Sequence, residues 1–281
     1  MSTRFFRLGC VIVLSVTASA TAGYTSNIML TGFWPPSNEM LRPFSNNPAQ
    51  NPSGWIGGNW EGRGYNVYSY FPEFTSPPPG DSIGHGDFEV DYQDTSADFW
   101  RITNELHPLA IITFGRGSVG TNWQLEWRYR NLVSLAWYPD YRAPYKPSPS
   151  PPDSSMPPGA YRYSSLPMEE IQDAVNAADV GVTSVINWTG DAGAFLCEYI
   201  GYHATWYHSL HMAPPNDYMN FAAGHIHVGT NVTTEQGFDA TEVTLRTLTT
   251  YLDSLIPEPA SGLLVLTLLS MAVFTRRPCS R

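Results

Sequence analysis

The chain reads as an α/β fold, a three-layer α/β/α sandwich around a twisted, largely parallel sheet. Two observations predict it. Short apolar or aromatic runs alternate with amphipathic helical segments from residue 27 to residue 255, and such alternation builds a sheet with helices on both faces. One of those runs, "PLAIITFG" at 108–115, is apolar throughout, as a strand buried on both faces must be. No internal repeat is present.

The elements follow in order. "NIMLTGF" (27–33) and "YNVYSYF" (65–71) are bounded by Gly, Pro and Asn and read as strands. "SADFWRITNEL" (96–106) spaces Phe99, Ile102 and Leu106 as a helix does. The apolar strand ending at Gly115 comes next. "QLEWRYRN" (124–131) alternates and reads as one further strand. Residues 139–160, rich in Pro and Ser, form a long surface loop within the domain rather than a packed element. "SLPMEEIQDAVNAA" (165–178) is a helix with Pro167 at its start and Glu169 and Glu170 near its positive end. "VTSVINW" (182–188) is a strand, "AFLCEYIGYHATWYHSL" (194–210) a helix, "AAGHIHVG" (222–229) a strand and "DATEVTLRTLTTYLDSL" (239–255) a closing amphipathic helix.

The two ends differ from this body. Residues 1–22 carry Arg4 and Arg7, an apolar run from residue 8 to residue 16 and a small-residue site at Ala20-Thr21-Ala22, the layout of a secretory signal peptide. Residues 256–281 hold Pro257-Glu258-Pro259, an uncharged run over 260–275 and then Arg276 and Arg277. That run is shorter than the roughly 20 residues of a comfortable membrane-spanning helix, and the arginines suit a cytoplasmic end. This order resembles the PEP-CTERM sorting tail of Gram-negative bacteria, which implies recognition by an exosortase and transient anchoring; a plain membrane anchor is the alternative. The expected organisation is thus a leader at 1–22, one domain at 23–255 and a sorting segment at 256–281. The expected location is the cell surface, periplasm or extracellular matrix, after export across the inner membrane.

The net charge of the 281-residue chain is −10, and the two ends contribute five arginines against Glu258, which leaves −14 on the body. A body this acidic repels phosphate backbones, so no nucleic-acid partner is expected.

Cys197 is the one cysteine in that body. It follows the glycine turn "GDAG" at the start of a helix, where a helix N-terminus favours a thiolate and backbone N–H groups can hold an oxyanion. The bland alternative is a buried cysteine that only fills space. A nucleophile needs a base: strand alternation puts His225 and His227 on one side of "AAGHIHVG", at its carboxyl end, the edge where open α/β sheets gather their sites. Glu126 is an isolated acid in an otherwise apolar and aromatic strand. It is either an orienting carboxylate for a histidine or an edge residue paired with Arg128 or Arg130.

Six segments, "IMLTGFWP", "PLAIITFGRG", "LEWRYRN", "YSSLP", "AGAFLC" and "AGHIHVG", occur in the order and at about the separations of the pyroglutamyl peptidase I (pyrrolidone-carboxylate peptidase) family. The resemblance spans about residues 27–255. It implies a phosphorylase/hydrolase-like fold and a cysteine omega-peptidase that removes an N-terminal pyroglutamyl or similar cyclic amide residue through a thiol acyl-enzyme, with no metal or cofactor. Carried over by position, it makes Cys197 the nucleophile, His227 the general acid/base and Glu126 the acid of the triad. Phe33 and Trp34 line the ring pocket, with Asn131 assigned to substrate binding. The implied partner is a peptide with a blocked N-terminus, and a homo-oligomer is compatible with it. The sequence departs from the pattern at Pro36, where the family has phenylalanine, at Asp191 for serine, at Glu198 for asparagine and at Gly229 for proline. The family arginine ten residues after its glutamate corresponds to Ala136, leaving Arg130 or Arg142 as substitutes. Carboxylates at 191 and 198 would oppose ionisation of the thiol between them.

Two other readings compete. His203, His208 and His211 on one helix, with His225 and His227 on a strand, are a candidate zinc set, but no H-E-x-x-H or paired-cysteine spacing accompanies them. A binding protein that keeps a peptidase fold, in an extracellular matrix or on polysaccharide, is the other. Asn187-Trp188-Thr189 and Asn231-Val232-Thr233 match a glycosylation acceptor pattern.

Overall fold

The computed structural model describes residues 23–76, 79–213 and 217–256. The leader reading on 1–22 and, apart from Ile256, the sorting-tail reading on 256–281 lie outside the described residues. Among the described residues no helix is long and apolar enough to cross a membrane.

Among the described residues six strands make the central sheet: β1 (Asn27–Thr31), β2 (Asn66–Tyr70), β3 (Ala110–Arg116), β4 (Asn122–Glu126), β7 (Thr183–Asn187) and β8 (Ala222–Val228). Their order across the sheet is β2-β1-β3-β8-β4-β7. β1, β2, β3 and β8 run parallel, β4 and β7 run parallel to each other, and the β8–β4 junction is antiparallel. Among the described residues four helices cover it: α1 (Tyr92–Leu106), α2 (Met168–Ala178), α3 (Leu196–His211) and α4 (Thr234–Leu255). The α/β/α fold with a largely parallel sheet is as expected.

The period of two along each strand sorts the core. Leu30, Ile112, Leu125 and Ile226 face one side and pack with Ile171 and Val175 of α2 and Leu245 and Leu248 of α4. Met29, Ile111 and Ala223 face the other, against Phe99 of α1 and Tyr199 and Ile200 of α3. The same parity puts Thr113, Gly115, His225 and His227 on the α3 side. Gln124 and Glu126 join them there, because they stand opposite His227 and His225 in the register.

Three expectations change. The strand expected over 124–131 is two: β4 ends at Glu126, and after Trp127 the chain enters β5 (Arg128–Arg130), which pairs antiparallel with β6 (Tyr161–Tyr163) in a separate small sheet. Alternation runs on through the break, so the sequence pattern does not show it. The break is set by Tyr129, whose buried hydroxyl donates to the Glu126 carbonyl (2.9 Å) and accepts from the His225 N–H (2.7 Å), replacing a ladder bond where β4 stops. Helix α1 begins four residues before the expected start, its polar first turn held by Asp91, whose side chain accepts from the Gln93 and Asp94 N–H groups. Helix α4 begins five residues early at a Thr233/Gln236 capping box.

The Pro-rich segment 139–160 contains no helix or strand, and buried side chains tie it down. Asn131 donates to the carbonyls of Asp153 (2.8 Å) and Met156 (3.0 Å). Asp153 is buried and pairs with Arg162 at 2.6 Å and with the Tyr202 hydroxyl at 3.0 Å.

Candidate active site

Glu126 at the end of β4 is buried, and its Oε1 lies 2.7 Å from Nδ1 of His227 in β8. Two further donors hold the carboxylate: Gln124 Nε2 to Oε1 at 2.6 Å and Asn187 Nδ2 to Oε2 at 2.8 Å. With Nδ1 bound to Glu126, the His227 ring turns its other edge toward Cys197, whose sulfur lies within 4.8 Å of a ring nitrogen. Burial works against charge on His227, but the Cys197 sulfur and then the Glu126 carboxylate outweigh it and raise the ring to about 10. The imidazolium therefore persists at neutral pH.

Cys197 is the second residue of α3 and a free thiol, partly exposed. Among the described residues no side chain caps this helix end, which leaves its first N–H groups able to meet an anion beside the sulfur. Gly115 makes the approach possible: a Cβ there would overlap Sγ. Gly201 serves likewise for Tyr129, whose ring occupies the place a Cβ would take.

The carboxylates that flank the cysteine in sequence share a cationic partner in space. Arg130 of β5 gathers both: its Nη2 binds Asp191 Oδ1 at 2.7 Å, its Nε lies 3.1 Å from Glu198 Oε1, and its backbone N–H donates to the same oxygen at 2.5 Å. Burial pushes Glu198 up to about 8 against the pull of Arg130, which leaves that group largely uncharged at neutral pH. Arg130 also donates to the Gly193 carbonyl, and Arg128 donates to the carbonyls of Thr189 and Gly190. Together the two arginines shape the turn that precedes α3. Of the two substitutes considered for the family arginine, Arg130 is at the site. Arg142 pairs with Glu89 instead.

Two cavities meet at His227. One of about 250 Å³ is mostly apolar, lined by Phe33, Trp34, Val90, Tyr138 and Phe195, with Cys197 at its edge. Trp34 stacks on Phe195 at 6.0 Å between centroids, and Tyr141 meets both rings edge-on. The Pro-rich segment and the residue before it thus supply part of this wall. The second cavity, about 320 Å³, has Arg116, Asn122, Gln124, Glu126 and Asp191 among its lining residues.

Of the residues singled out from sequence, Cys197, His227, Glu126, Phe33 and Trp34 come together. Asn131 does not: it is fully buried and its amide is spent on the loop carbonyls, so substrate binding, its expected role, is replaced by loop anchoring. The helical histidines do not converge either. His203 bonds the Tyr199 carbonyl and Ser96, His208 bonds Asn220 and His211 bonds the Tyr218 carbonyl. The acceptor asparagine Asn187 is committed to Glu126. Sequence reasoning missed Gln124, Asn187, Tyr129 and Gly115. The alternation that places Glu126 on one face also places Gln124 there, and is the one available signal.

No family model and no curated protein matches the chain. Solved structures do. The pyrrolidone carboxyl peptidase of Thermococcus litoralis superposes with a TM-score of 0.58 at 19% identity, over 83% of this chain and 99% of that one. Two mutant pyrrolidone carboxyl peptidases of the hyperthermophile Pyrococcus furiosus give 0.57 at 17% and 0.56 at 16%, each over 82% of this chain and all of theirs. At these identities the likeness establishes the fold.

Proposed function

We propose that this chain is a thiol hydrolase of the pyroglutamyl-peptidase type, acting on a peptide whose N-terminal residue is a pyroglutamyl or similar cyclic amide. The observation that carries the reading is the chain of contacts Glu126–His227–Cys197 at the edge of an aromatic pocket. The Cys197 thiolate attacks the carbonyl of the first residue. A C–S bond forms, and charge collects on the oxygen beside the N-terminus of α3. His227 gives its proton to the leaving amine as the C–N bond breaks. Water, deprotonated by His227, then cleaves the thioester and restores the thiolate–imidazolium pair. Glu126 holds the ring in its tautomer. The pocket volume, below the ~300 Å³ at which drug-sized pockets begin, suits one small ring between Phe33 and Trp34.

Incubation of the purified protein with a fluorogenic pyroglutamyl amide, beside Cys197→Ser, tests this. Turnover confined to the unmutated protein is expected. No turnover, together with a Cys197 inert to iodoacetamide at neutral pH, overturns it. The leader and tail readings extend the proposal to an exported enzyme sorted by an exosortase. Sequencing of the mature protein's ends after cell fractionation checks that, with loss of residues 1–22 as the expected result.

A second reading has its own observation. Trp127, Trp188 and Tyr163 cluster beside Tyr161, which lies under Arg128, and Trp188 and Tyr163 are about half exposed. An open aromatic shelf suits a polysaccharide-associated binding protein. Retention of the Cys197→Ser protein on immobilised polysaccharide, lost on Trp188→Ala, would favour it.

A further inference from the structure

His225 takes no part in the proposed hydrolysis, yet it is fully buried beside it, and its Nε2 has no hydrogen-bond partner among the described residues. The Thr113 hydroxyl lies 2.8 Å from His225 Nδ1 and 3.2 Å from the Gly224 carbonyl. In the tautomer with the ring proton on Nδ1, the hydroxyl accepts from the ring and donates to that carbonyl, and Nε2 keeps its lone pair. A buried acceptor with nothing to accept calls for an explanation.

The lone pair has company. One ligand atom each from Cys197, His225 and His227 lies within 4.8 Å of the others, and the two rings stand at 85° with centroids 4.7 Å apart. Gly115 keeps the space between them open. A Cβ at that position would lie 3.0 Å from His225 Nε2 and against the Cys197 sulfur.

We propose that Cys197, His225 and His227 form a binding site for a single borderline-soft divalent cation of the zinc class, whose occupation switches the thiol off. Thiolate and imidazole are the ligands such ions prefer. Both rings are braced for coordination. Glu126 holds Nδ1 of His227 and Thr113 holds Nδ1 of His225, the outer-shell arrangement that fixes metal-binding histidines. Three protein ligands leave a fourth position open, beside the cavity that Cys197 and His227 both border. The ion takes the place of the proton shared by Cys197 and His227, which leaves to solvent. The sulfur pair needed for attack and the nitrogen that relays the proton are then both coordinated. The ligand set stands whatever the site hydrolyses; the inhibition rests on the thiol-hydrolase reading.

Cobalt(II) and zinc, added to the metal-free, reduced full chain, test the site directly. Cobalt is expected to give a thiolate-to-metal charge-transfer band and tetrahedral visible bands, displaced by one equivalent of zinc. Cys197→Ser abolishes the charge-transfer band. His225→Phe, which keeps a ring but offers no lone pair, weakens binding at least ~10-fold, while its hydrolysis of the pyroglutamyl amide persists and resists zinc. Should that variant fail to fold by circular dichroism, Thr113→Val replaces it and is expected to weaken binding in the same direction. Absence of the charge-transfer band in the unmutated protein, or unchanged cobalt affinity in the folded His225→Phe or Thr113→Val protein, overturns the proposal. Cobalt binding as described without turnover in any preparation leaves the metal site standing and sinks the hydrolase reading alone.

Discussion

Gly115 in β3 holds open the space that the Cys197 sulfur occupies: a Cβ at position 115 would overlap Sγ. The nucleophile proposed for α3 is therefore seated by a residue of the neighbouring strand that has no side chain. Gly115→Ala must push the sulfur, and with it the first turn of α3, away from His227. Overpacking of this kind costs about 1–3 kcal/mol of stability, and a displacement near 1 Å costs about 10²-fold in rate. The expected outcome is a folded protein, by thermal melting, with kcat/KM on the pyroglutamyl amide down about 100-fold. Full activity would mean that Cys197 does not depend on this seat.

Glu126 is held from three sides, by Gln124, Asn187 and His227. Glu126→Gln keeps the shape and removes the charge that favours the imidazolium. A fall in kcat of about 10²–10⁴-fold is expected, within the range for general acid–base catalysis, with KM little changed because the aromatic pocket is untouched. A variant that raised KM and left kcat alone would place Glu126 in binding instead.

Arg130 neutralises Asp191 and faces the buried Glu198. Arg130→Met leaves Glu198 without its cationic partner. Removing one member of a fully buried pair costs about 3–5 kcal/mol; Arg130 is partly exposed and Glu198 can take up a proton, so about 2 kcal/mol is expected from urea unfolding. The turn before α3 loosens, and alkylation of Cys197 by iodoacetamide slows. Adding Glu198→Leu should recover stability but not the alkylation rate, since Asp191 is still unpaired.

Acid should weaken the fold through His203. Burial lowers this ring to about 4 from an ordinary 6.5, among Phe99, Trp100, Tyr199 and Trp206, with Asp153 as the charged group acting on it. Above pH 6.5 the ring is neutral folded or unfolded, and stability is at its full value. Between 6.5 and 4 the unfolded chain takes the proton that the folded one refuses, so stability falls with pH, by about 3 kcal/mol in all. His208, also lowered by burial, adds in the same direction. Urea unfolding from pH 7.5 to 4.5 measures the slope. His203→Gln should flatten it, and an unchanged slope would exclude His203 as its source.

Much of this protein can be read from local pattern. Every central strand except β4 is visible as an apolar or aromatic run, because burial on both faces or on one leaves a period that short windows detect. Cys197, His227 and Glu126 stand out by residue type, turn chemistry and order. The misses are of another kind. The break at Trp127 is invisible because Tyr129 continues the alternation while leaving the sheet for a different partner. Asn131 has the right spacing and the wrong neighbours.

The layers, the order of helices and strands and the chemical types at the site are written in the chain, since they rest on periodicity and on what each side chain can do. Which groups meet is a matter of packing. The antiparallel seat of β4 against β8 brings Glu126 and Gln124 beside His225 and His227. The approach of α3 to Gly115 brings the sulfur to the same place, and Arg130 turns Asp191 and Glu198 from neighbours of the thiol into parts of its support. Contacts between residues some seventy to a hundred positions apart depend on register and packing, and neither leaves a trace in the local spacing of the chain.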